Sequence, residues 1–176
     1  MTKTVFSHQI APMDNKFSHF NGQGEAIMVD VSEKSVTQRR AVATGKIFVS
    51  PEILKLIQQG NTKKGDVLAV ARIAGISATK ETPHLIPLCH TLLLQKASVD
   101  FQINEEECSV TALCTVQAAG QTGVEMEALT GVSVTLLTIY DMCKAVDKSM
   151  TLGEIHLVEK TGGKSGNFKF EDKNEE

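Results

Sequence analysis

From Gln121 to Lys148 the chain QTGVEMEALTGVSVTLLTIYDMCKAVDK repeats apolar positions at intervals of three and four, which predicts one long helix. Met126, Leu129, Ser133, Leu136, Tyr140 and Cys143 form the row expected to face the core. A second row, Ala128, Gly131, Thr135, Thr138 and Met142, is mostly small and is expected to let the helix axis approach a sheet or another helix. The third row, Glu127, Thr130, Val134, Asp141 and Lys144, has ionisable groups at both ends of a partly apolar stripe. Glu127 and Asp141 are two heptads apart, on the order of 21 Å along a helix. One small site cannot easily hold both. Either the ligand is long or a second copy of the chain brings its own helix end alongside, so a site between subunits is expected.

Upstream, Met1 to about Gln23 is polar and without sustained period, which reads as a mobile arm whose last part can dock. The segment AIMVDVSEKSVTQRRAVATGKIFVS leads into an alternating run between Arg40 and Val49 that predicts a first strand. Ser50, Pro51 and Glu52 spell a helix start: a capping hydroxyl, a proline at the first helical position and an acid in the first turn. The helix EILKLIQQ follows and stops at Gly60. Asp66 can cap a second helix, DVLAVARIAGISATK, with Lys63 and Lys64 beside its N-terminus, where free N–H groups favour anions. Thr82, Pro83 and Pro87 are expected to break that helix and leave His84 and His90 in irregular chain, a candidate site wall.

KASVDFQIN and ECSVTALCTVQA alternate with period two around an acidic turn from Asn104 to Glu107, the mark of an antiparallel hairpin. After Met150 and Gly153, EIHLVEK is the expected last strand, and EDKNEE is solvated charge. The order strand, two helices, hairpin, helix, strand fits an α+β, ferredoxin-like layout: a split βαβ arrangement with helices packed on one face of an antiparallel sheet. The expected organisation is an arm over 1–23, a single domain over 24–168 and a charged tail over 169–176.

A chain of 176 residues suits one domain with a real core, and 18 basic against 21 acidic residues give a net charge of −3. That balance argues against a general electrostatic grip on nucleic acid. Cys89, Cys108, Cys114 and Cys143 form no CxxC pair, and the N-terminus lacks the basic start and apolar run of a secretory signal. No apolar run reaches the roughly 18 residues that span a bilayer. These features read as a soluble, cytoplasmic protein with reduced thiols.

Lys64, Lys80, Lys144, Lys160 and Lys164 each fall at or near a turn or element end; if they converge, the ligand is polyanionic, and if not, they are ordinary surface. TGGKSG fails the phosphate-loop pattern, because position 158 is Val158 and no helix can follow. It remains a flexible turn bearing one lysine, a candidate flap over a phosphate. Cys89 and His90 lack neighbouring ligands at metal spacing, so the reading is no metal, with His90 either a hydrogen-bonding site residue or a structural one. Glu125 and Glu127 flank Met126 at a helix start, where acids are ordinary. Asp141 and Lys144, at i and i+3, are a surface pair or, given their apolar sequence surroundings, a partly shielded pair suited to proton transfer.

The strings AIMVDVSEKSVTQRRAVATG, KKGDVLAVARIAGISATKETPHLIPLCHTLLL, TGVEMEALTGVSVTLLTIYDMCKAV and EKTGGKSG together resemble the molybdenum cofactor biosynthesis protein C family of cyclic pyranopterin monophosphate synthases. The likeness runs from about His19 to Phe168. It implies a ferredoxin-like subunit in a hexamer, a trimer of dimers, with active sites at subunit interfaces. It implies that a cyclised dihydro-GTP, made from GTP by a radical S-adenosylmethionine enzyme, is rearranged to cyclic pyranopterin monophosphate with loss of pyrophosphate, a lyase reaction without redox change. On the same resemblance Asp141 is the catalytic aspartate, Lys144 its partner and Lys64 the catalytic lysine. Leu88, Cys89, His90, Met126 and Glu127, with Glu125 beside them, match substrate-contacting segments. Lys80, Lys160, Lys164 and Arg39 are assigned to the triphosphate or the guanine-derived end. No cofactor is required, and magnesium can accompany the phosphates. The rivals are a regulatory ligand-binding module, which would keep its ligand and make no product, and a nucleic-acid-binding protein, which would bind oligonucleotides with strong salt dependence.

Overall fold

The computed structural model describes residues 19–60 and 65–171. In chain order it holds β1 (Thr37–Phe48), α1 (Pro51–Gln59), α2 (Val67–Leu85), β2 (Leu94–Asn104), β3 (Ser109–Gly120), α3 (Glu125–Cys143), β4 (Thr151–Thr161) and β5 (Phe168–Lys169). The strands form one sheet in the order β2-β3-β1-β4-β5, and every neighbouring pair is antiparallel. β3 lies between β1 and β2, and β1 between β3 and β4, so each helical crossover spans an inserted strand. This is the split βαβ, ferredoxin-like arrangement expected from the order of elements. The short β5, pairing with the end of β4, was not expected from the sequence.

Local chemistry sets most boundaries. Ser50 caps α1 with Pro51 in its first turn, and Gly60 ends it in the left-handed region at φ 63°. Asp66 caps α2 through the Ala69 N–H at 3.0 Å. α2 then departs from expectation by running through Thr82 and Pro83 to Leu85, which makes His84 helical. Proline cannot donate to the Thr79 carbonyl one turn back, and the Thr82 hydroxyl donates to that oxygen instead, at 3.1 Å. The chain leaves the helix only at Ile86.

Alternation along β3 buries Val110, Ala112, Cys114, Val116 and Ala118 under the helices and leaves Thr111, Leu113, Thr115 and Gln117 half-buried on the other face. Ala41, Ala43 and Ile47 of β1 join the same core, and Ile53, Leu54 and Ile57 extend it under α1. α3 supplies Ala128, Val132, Leu136, Ile139 and Cys143. The expected core row of α3 therefore holds only in part. Leu136 and Cys143 are buried, Leu129, Ser133 and Tyr140 are half-buried, and Met126 is exposed. The small-residue row explains the rotation, since α3 turns it toward α2. A Cβ added at Gly75 would lie 2.0 Å from Thr135 Oγ1 and 3.0 Å from the Gly131 carbonyl oxygen. One added at Gly131 would lie 2.6 Å from Cys114 Sγ on β3 and 2.9 Å from Thr79 Cγ2. The two helices and the sheet meet there with no room for a methyl group.

The hydroxyls along this seam are satisfied within their own helices: Thr135 Oγ1 donates to Gly131 O at 2.7 Å and Thr79 Oγ1 to Ile76 O at 2.8 Å. Burial costs them little. Gly75→Ala is expected to lose about 3 kcal/mol to overpacking and regain about 1 kcal/mol in helix propensity, a net loss of about 2 kcal/mol. Gly22→Ala, in open space, should change stability by less than about 0.5 kcal/mol. Urea midpoints at fixed protein concentration test this; equal midpoints for Gly75→Ala and the parent would mean that the crossing is looser than described.

Candidate active site

Two cavities meet at the N-terminal end of α3. The larger, about 420 Å³, is walled by Lys34, Arg39, Arg40, Lys160, Lys164 and Ser165, with the 121–124 backbone between them. The smaller, about 210 Å³, is walled by His19, Leu88, Cys89, His90, Met126 and Glu127. Thr122, Gly123 and Glu125 line both, so the two form one trough. Val124, the N-cap residue before α3, offers no capping side chain, and the helix N-terminus opens into the trough with its partial positive charge.

Arg39 builds the basic end. It alternates into the helix-facing side of β1 and is 9% exposed, with Nε donating to Gly120 O at 3.2 Å and a terminal nitrogen to Gln121 O at 3.3 Å. The 162–166 turn packs on this guanidinium. Gly163 has φ 83°, and a Cβ there would overlap the guanidinium at 1.5 Å. Glycine is thus required where the loop carrying Lys164 crosses Arg39. Lys160 stands across from Ala41 in the sheet register and reaches Glu125 on α3 at 3.1 Å and Ser165 Oγ at 2.9 Å. Arg40, next along β1, reaches the same cavity's edge and pairs there with Glu159 on β4. Of the five lysines whose convergence would mark a polyanion site, Lys160 and Lys164 line this cavity, together with Arg39.

The other end is carboxyl and imidazole. His90 donates from Nε2 to the Val29 carbonyl at 2.8 Å, which leaves Nδ1 as the nitrogen available to a ligand. Glu127 is 3% exposed, and its pKa is raised from 4.5 to about 7, chiefly by burial. Its own backbone N–H opposes that rise, and the Glu125 charge adds to it. Burial also pushes the Cys89 thiol up, with the Glu127 charge contributing. A carboxyl that titrates near neutrality inside a cavity can hold or release a proton at working pH.

Leu88, Cys89, His90, Glu125, Met126 and Glu127 all line the trough. Other sequence candidates lie elsewhere. Asp141 and Lys144 occupy the opposite end of α3, paired at 2.6 Å, and Asp141 holds Lys144's pKa up. In the single chain both side chains are exposed, 61% and 49%, which corrects the expectation of a shielded pair. Tyr140 and Met142 are their neighbours in sequence, but successive residues point about 100° apart around a helix and do not cover them. Lys80 is exposed on α2, outside both cavities. Lys64 lies outside the described residues. Among the described residues no three His, Cys, Asp or Glu side chains are grouped to hold a metal ion, no helix is long and apolar enough to cross a membrane, and the four cysteines are thiols rather than disulfides.

Sequence reasoning missed Lys34, Arg40, Thr122, Ser165 and His19. Lys34 and Arg40 lie in the segment singled out above, but a charged residue near or on a strand looks like any solvated one until strand register brings it to a cavity edge. Lys34 is held there by Gln121, whose side-chain amide donates to Ser32 O at 3.1 Å and Lys34 O at 3.0 Å.

Fold and trough together define an α+β subunit with a small-molecule site, cationic at one end and acid–imidazole at the other. The chain belongs to the MoaC family, whose model matches residues 28–163. A protein of Clostridium perfringens (strain 13) is 56% identical over 158 residues, covering 90% of this chain and all of the relative. One of Clostridium botulinum (strain Alaska E43) is 56% identical over 156 residues, 89% of this chain and 98% of the relative. One of Parvibaculum lavamentivorans is 55% identical over 154 residues, 88% and 96%. Each of these relatives is named cyclic pyranopterin monophosphate synthase.

The raised pKa of Glu127 has a sign that stability measurements can read. The folded chain keeps this proton up to about pH 7, whereas the unfolded chain releases it near 4.5, so folding binds a proton between those values. Stability from this group is therefore lost as pH rises from about 4.5 to about 7. Glu127→Gln is permanently neutral, and its stability relative to the parent should rise by about 3 kcal/mol between roughly pH 5 and pH 8. Parallel stability curves for the two proteins would mean that Glu127 is ionised when folded.

Proposed function

We propose that this protein is a cyclic pyranopterin monophosphate synthase acting in molybdenum cofactor biosynthesis, a lyase that converts a cyclised dihydro-GTP to cyclic pyranopterin monophosphate and pyrophosphate. The observation that carries the reading is the trough, basic at one end and proton-handling at the other, in a chain 56% identical to proteins of that name. Lys34, Arg40, Lys160 and Lys164 take the triphosphate, where fixed positive charge favours the departing pyrophosphate. Glu125 and Glu127 accept N–H groups of the guanine-derived heterocycle. Magnesium can accompany the substrate phosphates, and no resident cofactor is assigned.

Asp141, Lys144 and Lys64 supply the proton transfers that ring opening and closing require. Because α3 separates Asp141 from its own trough, we assign each site to two subunits of a hexamer built as a trimer of dimers, each trough meeting the α3 end of a neighbour. A radical S-adenosylmethionine enzyme acting on GTP supplies the substrate. The competing reading is a passive ligand-binding module.

The test is to incubate the full chain with the cyclised nucleotide and measure product and pyrophosphate, expected in equal amounts. Asp141→Asn should lower turnover at least about 100-fold, the scale of a lost general acid or base, while assembly and nucleotide affinity survive. Unchanged turnover in Asp141→Asn would remove that residue from the chemistry, and a parent that binds without making product would be the passive module.

A further inference from the structure

We propose that His19 is a substrate-contacting residue that closes the heterocycle end of the trough, carried there by a small hairpin preceding the family-matched residues 28–163. This rests on the synthase reading above. The hairpin is specifically built. Phe20 pairs antiparallel with Ala26, the Ile27 N–H donates to His19 O at 3.0 Å, and the Asn21 N–H to Glu25 O at 3.0 Å. Asn21 holds the turn, its Oδ1 accepting from the Gln23 and Glu25 N–H groups at 3.0 and 2.9 Å and its Nδ2 donating to the Glu25 carboxylate at 2.8 Å.

The chain after the hairpin is fastened by the trough's own residues. His90 donates to Val29 O, and Gln121 to Ser32 O and Lys34 O. His19 consequently stands in the same wall as His90, Cys89, Met126 and Glu127. Its ring makes no hydrogen bond or ion pair among the described residues, although its own carbonyl is held by the Ile27 N–H. An exposed histidine is usually only solvated surface, but this one lines a cavity and sits on a turn that specifies its place. Imidazole carries a donor, an acceptor and a flat face, which suit a planar nitrogen heterocycle; it gives little grip on a phosphate chain when neutral.

Full-length His19→Ala and His19→Gln test the assignment through steady-state kinetics with the cyclised nucleotide and inhibition by inorganic pyrophosphate. His19→Ala should raise KM about tenfold, the scale of one lost hydrogen bond, with kcat changed less than about threefold. His19→Gln, which keeps a donor and an acceptor, should recover most of that loss. Pyrophosphate inhibition should stay within about twofold of the parent for both variants, because the phosphate end is separate. A His19→Ala KM equal to the parent's, or a loss shared equally by pyrophosphate inhibition, would overturn the assignment while leaving the synthase reading intact. Absence of product from the parent protein would instead remove the synthase reading, and this one with it.

Discussion

The seam between α2 and α3 governs where everything else can be. Gly75, Gly131 and Thr135 bring the two helices together with no spare volume, and Gly131 also rests on Cys114 of the sheet beneath. That contact sets the rotation of α3 about its own axis. With the small row against α2, Val132, Leu136 and Ile139 fall into the core, Glu127 is carried into a buried position, and Asp141 is carried out to solvent. The same contact fixes the height of the first turn of α3 over the sheet, and hence its distance from Lys160 on β4.

At that first turn, opposite charges divide one trough into two chemical environments. Arg39 is mainly architectural: it ties the 120–121 backbone to the glycine turn that bears Lys164, and it adds fixed positive charge with two of its nitrogens already hydrogen-bonded to backbone. Glu125 stands at the junction, paired with Lys160 on one side and lending its charge to Glu127 on the other. An anion arriving beside Lys160 competes with Glu125 for the ammonium group. Any anion taken up beside Lys160 is thereby linked to the protonation of Glu127 through a single carboxylate.

Much of this was legible in the sequence where the determinant is local. Ser50–Pro51 and Gly60 marked α1, the period-two runs marked the β2–β3 hairpin, and the order of elements implied the split sheet. The misses come from longer-range terms. Pro83 looked like a helix breaker because the rescue, a Thr82 hydroxyl on the Thr79 carbonyl, is visible only with geometry. The core row of α3 was misjudged by part of a turn because apolar spacing alone does not reveal how strongly Gly75 draws Gly131 toward it. Among the site residues named on family likeness, Cys89, His90, Glu125 and Glu127 line one cavity. Nothing in a one-dimensional pattern could have put Lys34, Arg40 or His19 beside them.

The central claim is that one working site needs the trough of one subunit and the Asp141 end of another. Two inactive variants put it to the test: Lys160→Ala, crippled in the trough, and Asp141→Asn, crippled at the far end of α3. When the two are co-expressed and purified as mixed oligomers, random pairing leaves roughly one quarter of the sites with both halves intact, and turnover should return to about a quarter of the parent's. Mixed oligomers no more active than either variant alone would show that the two ends never serve the same site.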